Sequence, residues 1–350
     1  MSTTDSYARR MTLLDQQIER ALRALEGPSD LMGRMAHYSL GLISTQGEPT
    51  DEETRKNVQG KRIRPQIAMM VAEAVGGSAE SAAPVGAAIE LLHNFTLVHD
   101  DIQDRSPNRR HRPTVWRVWN DAQAINAGDA LFAVSQLSII DAAAHISPEN
   151  MLVLLEGFNR CTLDIVRGQV QDLQNEGVAT VTPDDYLEMI SGKTAAIIRY
   201  SAWAGAITGG ASRDEADRIG EMGQAIGMGF QIRDDMLGIW APAEETGKGD
   251  ADDLRRRKQT LPVLILRAKA DEEDAERIQQ LYGQESISDE DVAELLQLLD
   301  KYDVQPETAK HVAAEHERAI GILEDAFRDS DSPAVHELRA LVTQLVNRTF

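Results

Sequence analysis

Sulfur chemistry has almost no foothold in this sequence. A single cysteine, Cys161, in 350 residues excludes an intrachain disulfide framework and any multi-cysteine zinc site, which fits a reducing cytoplasm; it reads as a small core residue. No stretch approaches about 18 uninterrupted apolar residues, and the opening residues 1–17 lack the apolar run of a secretory signal. We therefore expect a soluble, cytoplasmic protein without stable membrane insertion. Cations are outnumbered as well: 36 Lys and Arg face 57 Asp and Glu, a net charge of −21 that repels phosphate backbones and anionic lipid and argues against nucleic-acid binding. Any anionic substrate must be met by a local basic cluster or by a metal. Strand-like alternation is nearly missing, and no internal repeat or low-complexity linker is found.

What remains is helical. With 42% hydrophobic residues the chain can bury a sizeable core. Apolar positions recur at three and four spacing, as in Leu14, Ile18, Leu22 and Leu25, or Ile67, Met70, Val71 and Ala74. Breaks fall at Gly27-Pro28, Gly76-Gly77, Ser106-Pro107, Ser147-Pro148, Thr182-Pro183, Gly209-Gly210, residues 241–250 and Ser332-Pro333. The segments between them, roughly 12 to 30 residues long, suit a bundle of about ten or more helices. The pattern runs on without a compositional shift, so a single all-α domain over 1–350 is expected.

Chemistry concentrates in a few places. Asp100-Asp101-Ile-Gln-Asp104 ends the apolar run that starts at Ile89. Asp100 and Asp104 then stack one turn apart, a spacing at which carboxylates can share a hard cation. Alone, such a pattern is common in an acidic chain; at the end of an apolar helix, like charges one turn apart call for a cationic partner. Arg105 to Pro113 follows at once and is the densest basic cluster. Salt bridging on a bundle surface would explain it, but carboxylates beside arginines also bind a polyphosphate through bridging Mg²⁺ and guanidinium forks. Lys61 and Arg64 open another apolar helix where the dipole favours an anion. Phe230 to Gly238 repeats an acid pair, Asp234-Asp235, and is followed by Thr246-Gly247-Lys248 and by Asp253 to Pro262. Gly168-Gln169 with Asp172, and Gly192-Lys193-Thr194, complete the set. His99, Trp116 and Trp119 read as helix packing.

In this order, from Gly60 to Pro262, the motifs resemble those of the trans-isoprenyl diphosphate synthases. The resemblance implies an all-α bundle around a central cavity, usually a homodimer. It also implies a Mg²⁺-dependent head-to-tail condensation of isopentenyl diphosphate with an allylic diphosphate. By position it makes Asp100 and Asp104, with Asp101 supporting, ligands of Mg²⁺, and Asp234, beside Asp235, the holder of another. Arg109, Lys193 and Lys248 match direct contacts to the allylic diphosphate, with Lys258 at a related basic position; Lys61, Arg64, His93 and Arg110 match the isopentenyl diphosphate site. Thr194, Gln231 and the Lys193 carbonyl would face the carbocation, supported by Gln169 and Asp172. Phe95, five residues before Asp100 with the small Thr96 beside it and Leu92 below, matches the floor of short-chain members, so C20 geranylgeranyl diphosphate is the expected product and C15 farnesyl diphosphate the nearest competitor.

Four positions depart from the pattern: Gln59 where a second glycine is usual, His111 where a glycine commonly follows the arginine pair, Gly238 where the second acidic motif would end in Asp, and the loop after Lys248. With Asp234 kept, position 238 is expected to be peripheral. A class I terpene synthase would need no isopentenyl diphosphate site, whereas Lys61, Arg64, His93 and Arg110 are all present. A non-catalytic partner subunit would be free to lose its acid pairs, and both are intact.

Overall fold

The computed structural model describes residues 3–27, 29–175, 178, 180–241, 251–284 and 286–346. Helices follow one another: α1 Thr3–Leu22, α2 Leu31–Ser39, α3 Glu52–Gln59, α4 Ile63–Ala74, α5 Ala79–Gln103, α6 Val115–Trp119, α7 Asp121–Ile140, α8 Pro148–Asn175, α9 Pro183–Ile190, α10 Ala196–Gly209, α11 Arg213–Trp240, α12 Asp252–Arg255, α13 Leu261–Lys269, α14 Glu272–Tyr282, α15 Asp289–Lys301, α16 Val304–Ala326 and α17 Pro333–Val346. Among the described residues the one sheet is a hairpin of β1 Asn108–Arg109 and β2 Arg112–Pro113. The all-α class read from the periodicity is the class the chain adopts. Side-chain caps start the helices where the sequence supplies them: Asp30, Asp51, Ser78, Asp271 and Ser288 each accept from a first-turn amide, and Thr182 with Asp185 forms a capping box before α9.

The chain divides into two compact units, one of Met1–Asn159, Ser201–Asp217 and Ser330–Leu338, the other of Arg160–Tyr200, Arg218–Asp329 and Arg339–Phe350. Most of the boundaries fall inside helices, namely α8, α10, α11 and α17.

In the first unit, Leu91 and Ala87 of α5 share a core with Leu14 and Ile18 of α1, Met35 of α2 and Leu131 of α7. Each fully buried leucine stabilises by roughly 1.5–3 kcal/mol. α5 and α7 run antiparallel: Ser138 Oγ donates to the Pro84 carbonyl (2.8 Å), Phe132 lies against Phe95 with ring centroids 5.3 Å apart, and His99 Nε2 is 3.3 Å from the Ile125 carbonyl. Residues 121–144 are long and apolar enough to cross a membrane by length and composition, with a mean hydropathy of 1.2. Here that helix packs its inner face on α5. The buried Arg10 guanidinium of α1 donates to Glu73 (2.7 Å) and, through its other end, to Glu337 of α17 (2.6 Å).

The second unit has its own core, built from Ile232 and Met236 of α11, Leu261 and Leu264 of α13, Ile278 of α14 and Leu295 of α15. Between α9 and α10 the helix widens into a π turn, Ser191–Ala195, the kind of local irregularity that recurs at functional sites.

Candidate active site

α5 delivers the first acid pair in its last turn. The Asp104 amide donates to the Asp100 carbonyl (2.8 Å), so the two side chains stand one turn apart at the helix end. Asp101, a step around the helix, is 5% exposed and accepts from Arg109 Nε at 2.8 Å. Burial pushes its pKa up and Arg109 pulls it back. Arg109 sits on β1, and the turn to β2 is made by Arg110 and His111 at φ 49° and 63°. A two-residue hairpin turn with both residues left-handed matches the twist of its strands. The glycine expected at 111 would adopt that conformation freely; His111 adopts it at a cost of about 1 kcal/mol or more.

The hairpin turn swings Arg110 back onto the segment before α4. Its guanidinium donates to the Val58 carbonyl and lies over Gly60, where a Cβ would come within 3.3 Å of Nη1. Gly60 has φ 62°, so the left-handed bend and the close approach fall on one residue, while Gln59 ends α3 and donates to the Leu40 carbonyl (3.3 Å). One glycine therefore suffices where two were expected. Lys61 is exposed beside it. Arg64 Nη1 donates to His93 Nε2 at 3.2 Å. Burial, with Arg64, Arg110 and Arg109 around it, holds His93 well below the usual histidine pKa, so its imidazole is neutral and accepts. Glu90, one turn before His93 and 5% exposed, is a counter-charge that sequence reasoning missed. Burial raises its pKa, and Arg62, Arg64 and Arg110 draw it down. Its only sequence signal is a lone acid in an apolar run. A cleft lined by Tyr38, Asn94, Asp101, Arg109 and Arg110 opens beside this group.

The second unit assembles the remaining set. α8 meets the π turn at Gly168, where a Cβ would lie 2.2 Å from the Lys193 amide nitrogen, and this places Gln169 and Asp172 beside the turn. Asp172 Oδ2 accepts from Lys193 Nζ at 2.5 Å. Thr194 Oγ1 donates to Gln231 Oε1 (3.0 Å), and Gln231 Nε2 donates to Asp235 Oδ1 (3.1 Å). Asp235, 4% exposed, also accepts from the Tyr186 hydroxyl. Burial pushes its pKa up to about 7 against the pull of those two donors. Asp234, its neighbour, is exposed. The acid pair thus splits into an internal carboxylate and an outward one. Tyr186 carried no sequence signal of its own.

Position 238 is not peripheral. Gly238 is buried, and a Cβ there would lie 2.0 Å from Asp253 Oδ2. Asp253, 4% exposed, is 3.0 Å from Lys258 Nζ. Lys248 and the loop around it lie outside the described residues. Among the described residues no three His, Cys, Asp or Glu side chains converge closely enough to hold a metal on their own. Asp100 and Asp104, one turn apart at the end of α5, suit Mg²⁺, which keeps its waters and takes one or two carboxylates together with substrate phosphate oxygens.

Residues 50–299 match the polyprenyl synthetase family. The chain belongs to that family. The (2E,6E)-farnesyl diphosphate synthase of Mycobacterium tuberculosis is 38% identical over 273 residues, 77% of this chain and 73% of its own. The geranylgeranyl diphosphate synthase of the same organism is 36% identical over 318 residues, 90% of this chain and 88% of its own. Among solved structures, the geranylgeranyl pyrophosphate synthetase from Pyrococcus horikoshii superposes with a TM-score of 0.85 at 32% identity, covering 99% of both chains. In this polyprenyl synthetase the aromatic group below the first acid pair is a three-ring set: Phe95 meets His99 edge to face at 4.8 Å between centroids and Phe132 at 5.3 Å. Leu92, one turn further down, is fully buried.

Proposed function

We propose that this prenyl diphosphate synthase condenses isopentenyl diphosphate head to tail with an allylic diphosphate and releases a short all-trans product, C20 geranylgeranyl diphosphate before C15 farnesyl diphosphate. The observation that carries the reading is that the last turn of α5, which bears Asp100 and Asp104, is tied through Asp101 to Arg109, with Arg110 and the Arg64-His93 pair in the same unit. Asp100 and Asp104 would hold Mg²⁺ and Asp234 another, ions that would supply positive charge to the departing diphosphate. Arg109, Lys193, Lys248 and Lys258 grip the allylic diphosphate; Lys61, Arg64, Arg110 and the neutral His93 bind isopentenyl diphosphate. With its hydrogen committed to Gln231, Thr194 Oγ1 has only lone pairs to turn toward a carbocation. The isopentenyl double bond attacks that cation, and the released diphosphate accepts the final proton.

We further propose that both units act as one domain, since helices run through most of the boundaries between them, and that the protein is a cytoplasmic homodimer. Leu163, Val166, Val170 and Leu173 form an exposed stripe on α8 at three and four spacing, between 37% and 61% exposed, which supports a self-association face. Incubation with isopentenyl diphosphate, Mg²⁺ and each of the C5, C10 and C15 allylic diphosphates, followed by mass analysis, tests the reaction. Prenyl diphosphates of C20 or C15 are expected; cyclised hydrocarbons, or no product from any primer, would overturn it.

A further inference from the structure

Two buried helical threonines show what a helix ordinarily does with such a hydroxyl: Thr208 and Thr308 each donate to the carbonyl four residues back, at 2.9 Å. Thr194 does not. Its Oγ1 crosses from the π turn to α11 and donates to Gln231 Oε1 at 3.0 Å. α11 meets the turn along one face, with Gln224, Gly227 and Gln231 at three and four spacing. Gln224 Nε2 donates to Ser191 Oγ (2.7 Å), and a Cβ on Gly227 would lie 2.6 Å from Ala195 Cα, a backbone atom with no side-chain freedom to yield. The π turn and α11 are therefore in fixed register where Thr194 meets Gln231.

The direction of that bond is set further along. An amide side chain can present either its oxygen or its nitrogen to a hydroxyl. The Asp235 carboxylate decides between them. An acceptor at both oxygens, it takes Gln231 Nε2 on Oδ1 at 3.1 Å and the hydroxyl of Tyr186, from α9, on Oδ2. With its nitrogen drawn to Asp235, Gln231 turns its oxygen to Thr194, and the threonine hydrogen follows. Tyr186 and Asp235 are each 4% exposed, so bulk water does not compete for this end of the chain of bonds.

We infer that Tyr186 is a positioning residue for the condensation: through Asp235 and Gln231 it holds the Thr194 hydrogen toward α11 and leaves the oxygen lone pairs for the carbocation. This rests on the reading of the reaction given above. A tyrosine that merely filled the core would act through its ring, and loss of its hydroxyl would be felt in stability alone. Without that hydroxyl, Asp235 is free to turn on its remaining donor, Gln231 loses its fixed orientation, and Thr194 can fall back on a carbonyl of the preceding turn.

A double-mutant cycle tests this. Tyr186→Phe should lower the single-turnover rate of condensation by about tenfold, while KM for both substrates and calorimetric affinity for inorganic diphosphate with Mg²⁺ stay within about twofold. In a Thr194→Ser background, which keeps a hydroxyl, the same substitution should again cost about tenfold; in Thr194→Val, which has none to orient, it should cost less than about threefold. Thermal midpoints serve as the folding control. Equal losses in the two backgrounds, or a Tyr186→Phe enzyme as fast as the wild type, would overturn the inference. Neutron diffraction from deuterium-exchanged wild-type crystals answers even if Tyr186→Phe does not fold. Deuterium is expected on Thr194 Oγ1 along the line to Gln231 and on the Tyr186 oxygen toward Asp235; a Gln231 amide turned the other way would refute the relay. Wild-type protein that shows this hydrogen pattern but condenses no prenyl substrate would instead sink the reading of the reaction. Condensation with equal losses in both backgrounds would sink this inference alone.

Discussion

Asp100 and Asp104 owe their pairing to a helix end, where the Asp104 amide closes the last turn on the Asp100 carbonyl. Replacing either by Asn preserves that backbone bond and removes one of the charges proposed to face Mg²⁺. Charge stabilisation of this kind is worth roughly 3 kcal/mol or more, so turnover should drop by several orders of magnitude with the thermal midpoint unchanged. Full activity of either variant, or of the wild type in EDTA, would refute the assignment. Neighbouring Arg109 and Arg110 point to different partners, one to Asp101 and the other to the Val58 carbonyl over Gly60. Arg109→Ala should then raise mainly the KM for the allylic substrate and Arg110→Ala mainly that for isopentenyl diphosphate; equal shifts of both constants in both variants would show that the division is wrong.

At the scale of elements, α5 and α7 present a ladder of facing side chains, Phe95 with Phe132 and His99 with the Ile125 carbonyl, in antiparallel register. On the proposed reading, a tail growing away from Asp100 along α5 would pass Thr96 and meet this aromatic floor. Phe95→Ala should lengthen the product to C25 or beyond with only a modest loss of rate, because no charged group is touched; mass analysis showing an unchanged product spectrum would place the floor elsewhere. Most of these elements were legible in the sequence because three and four spacing and its glycine and proline breaks are local signals. The hairpin was not, since each strand has two residues and no alternation to read. The π turn was hidden by a helical pattern it only widens. Site residues were legible where charge closes an apolar run, as at Asp100, or gathers into a dense cluster, as at Arg109. Glu90 and Tyr186 act through burial and through neighbours distant in sequence, which no spacing encodes.

For the molecule as a whole, net charge and buried titratable groups set its tolerance of acid. His316, 9% exposed on α16, has its pKa lowered to about 4 by burial and then by the nearby Arg233. In the unfolded chain it returns to the usual value near 6.5, so the unfolded state binds the extra proton between those limits. This residue therefore costs nothing above about pH 6.5, and stability falls as pH drops from there toward 4. His316→Gln should flatten that limb, stabilising at pH 5 by about 2 kcal/mol in denaturant titrations and leaving pH 8 stability nearly unaltered. An unchanged acid limb would show that other groups govern it.

The Arg10 clasp carries a consequence for how the chain is made. A guanidinium buried on α1 is paired in part with Glu337, 327 residues further along the chain. Until Glu337 is made, the emerging chain holds an incompletely compensated charge that favours keeping α1 open. Nascent chains halted before residue 330 should be cut readily by protease within α1, and chains extended well past 346 should resist; equal resistance at both lengths would mean that the first unit closes without its final segment. Synthesis and folding of this unit are, on that account, finished almost together.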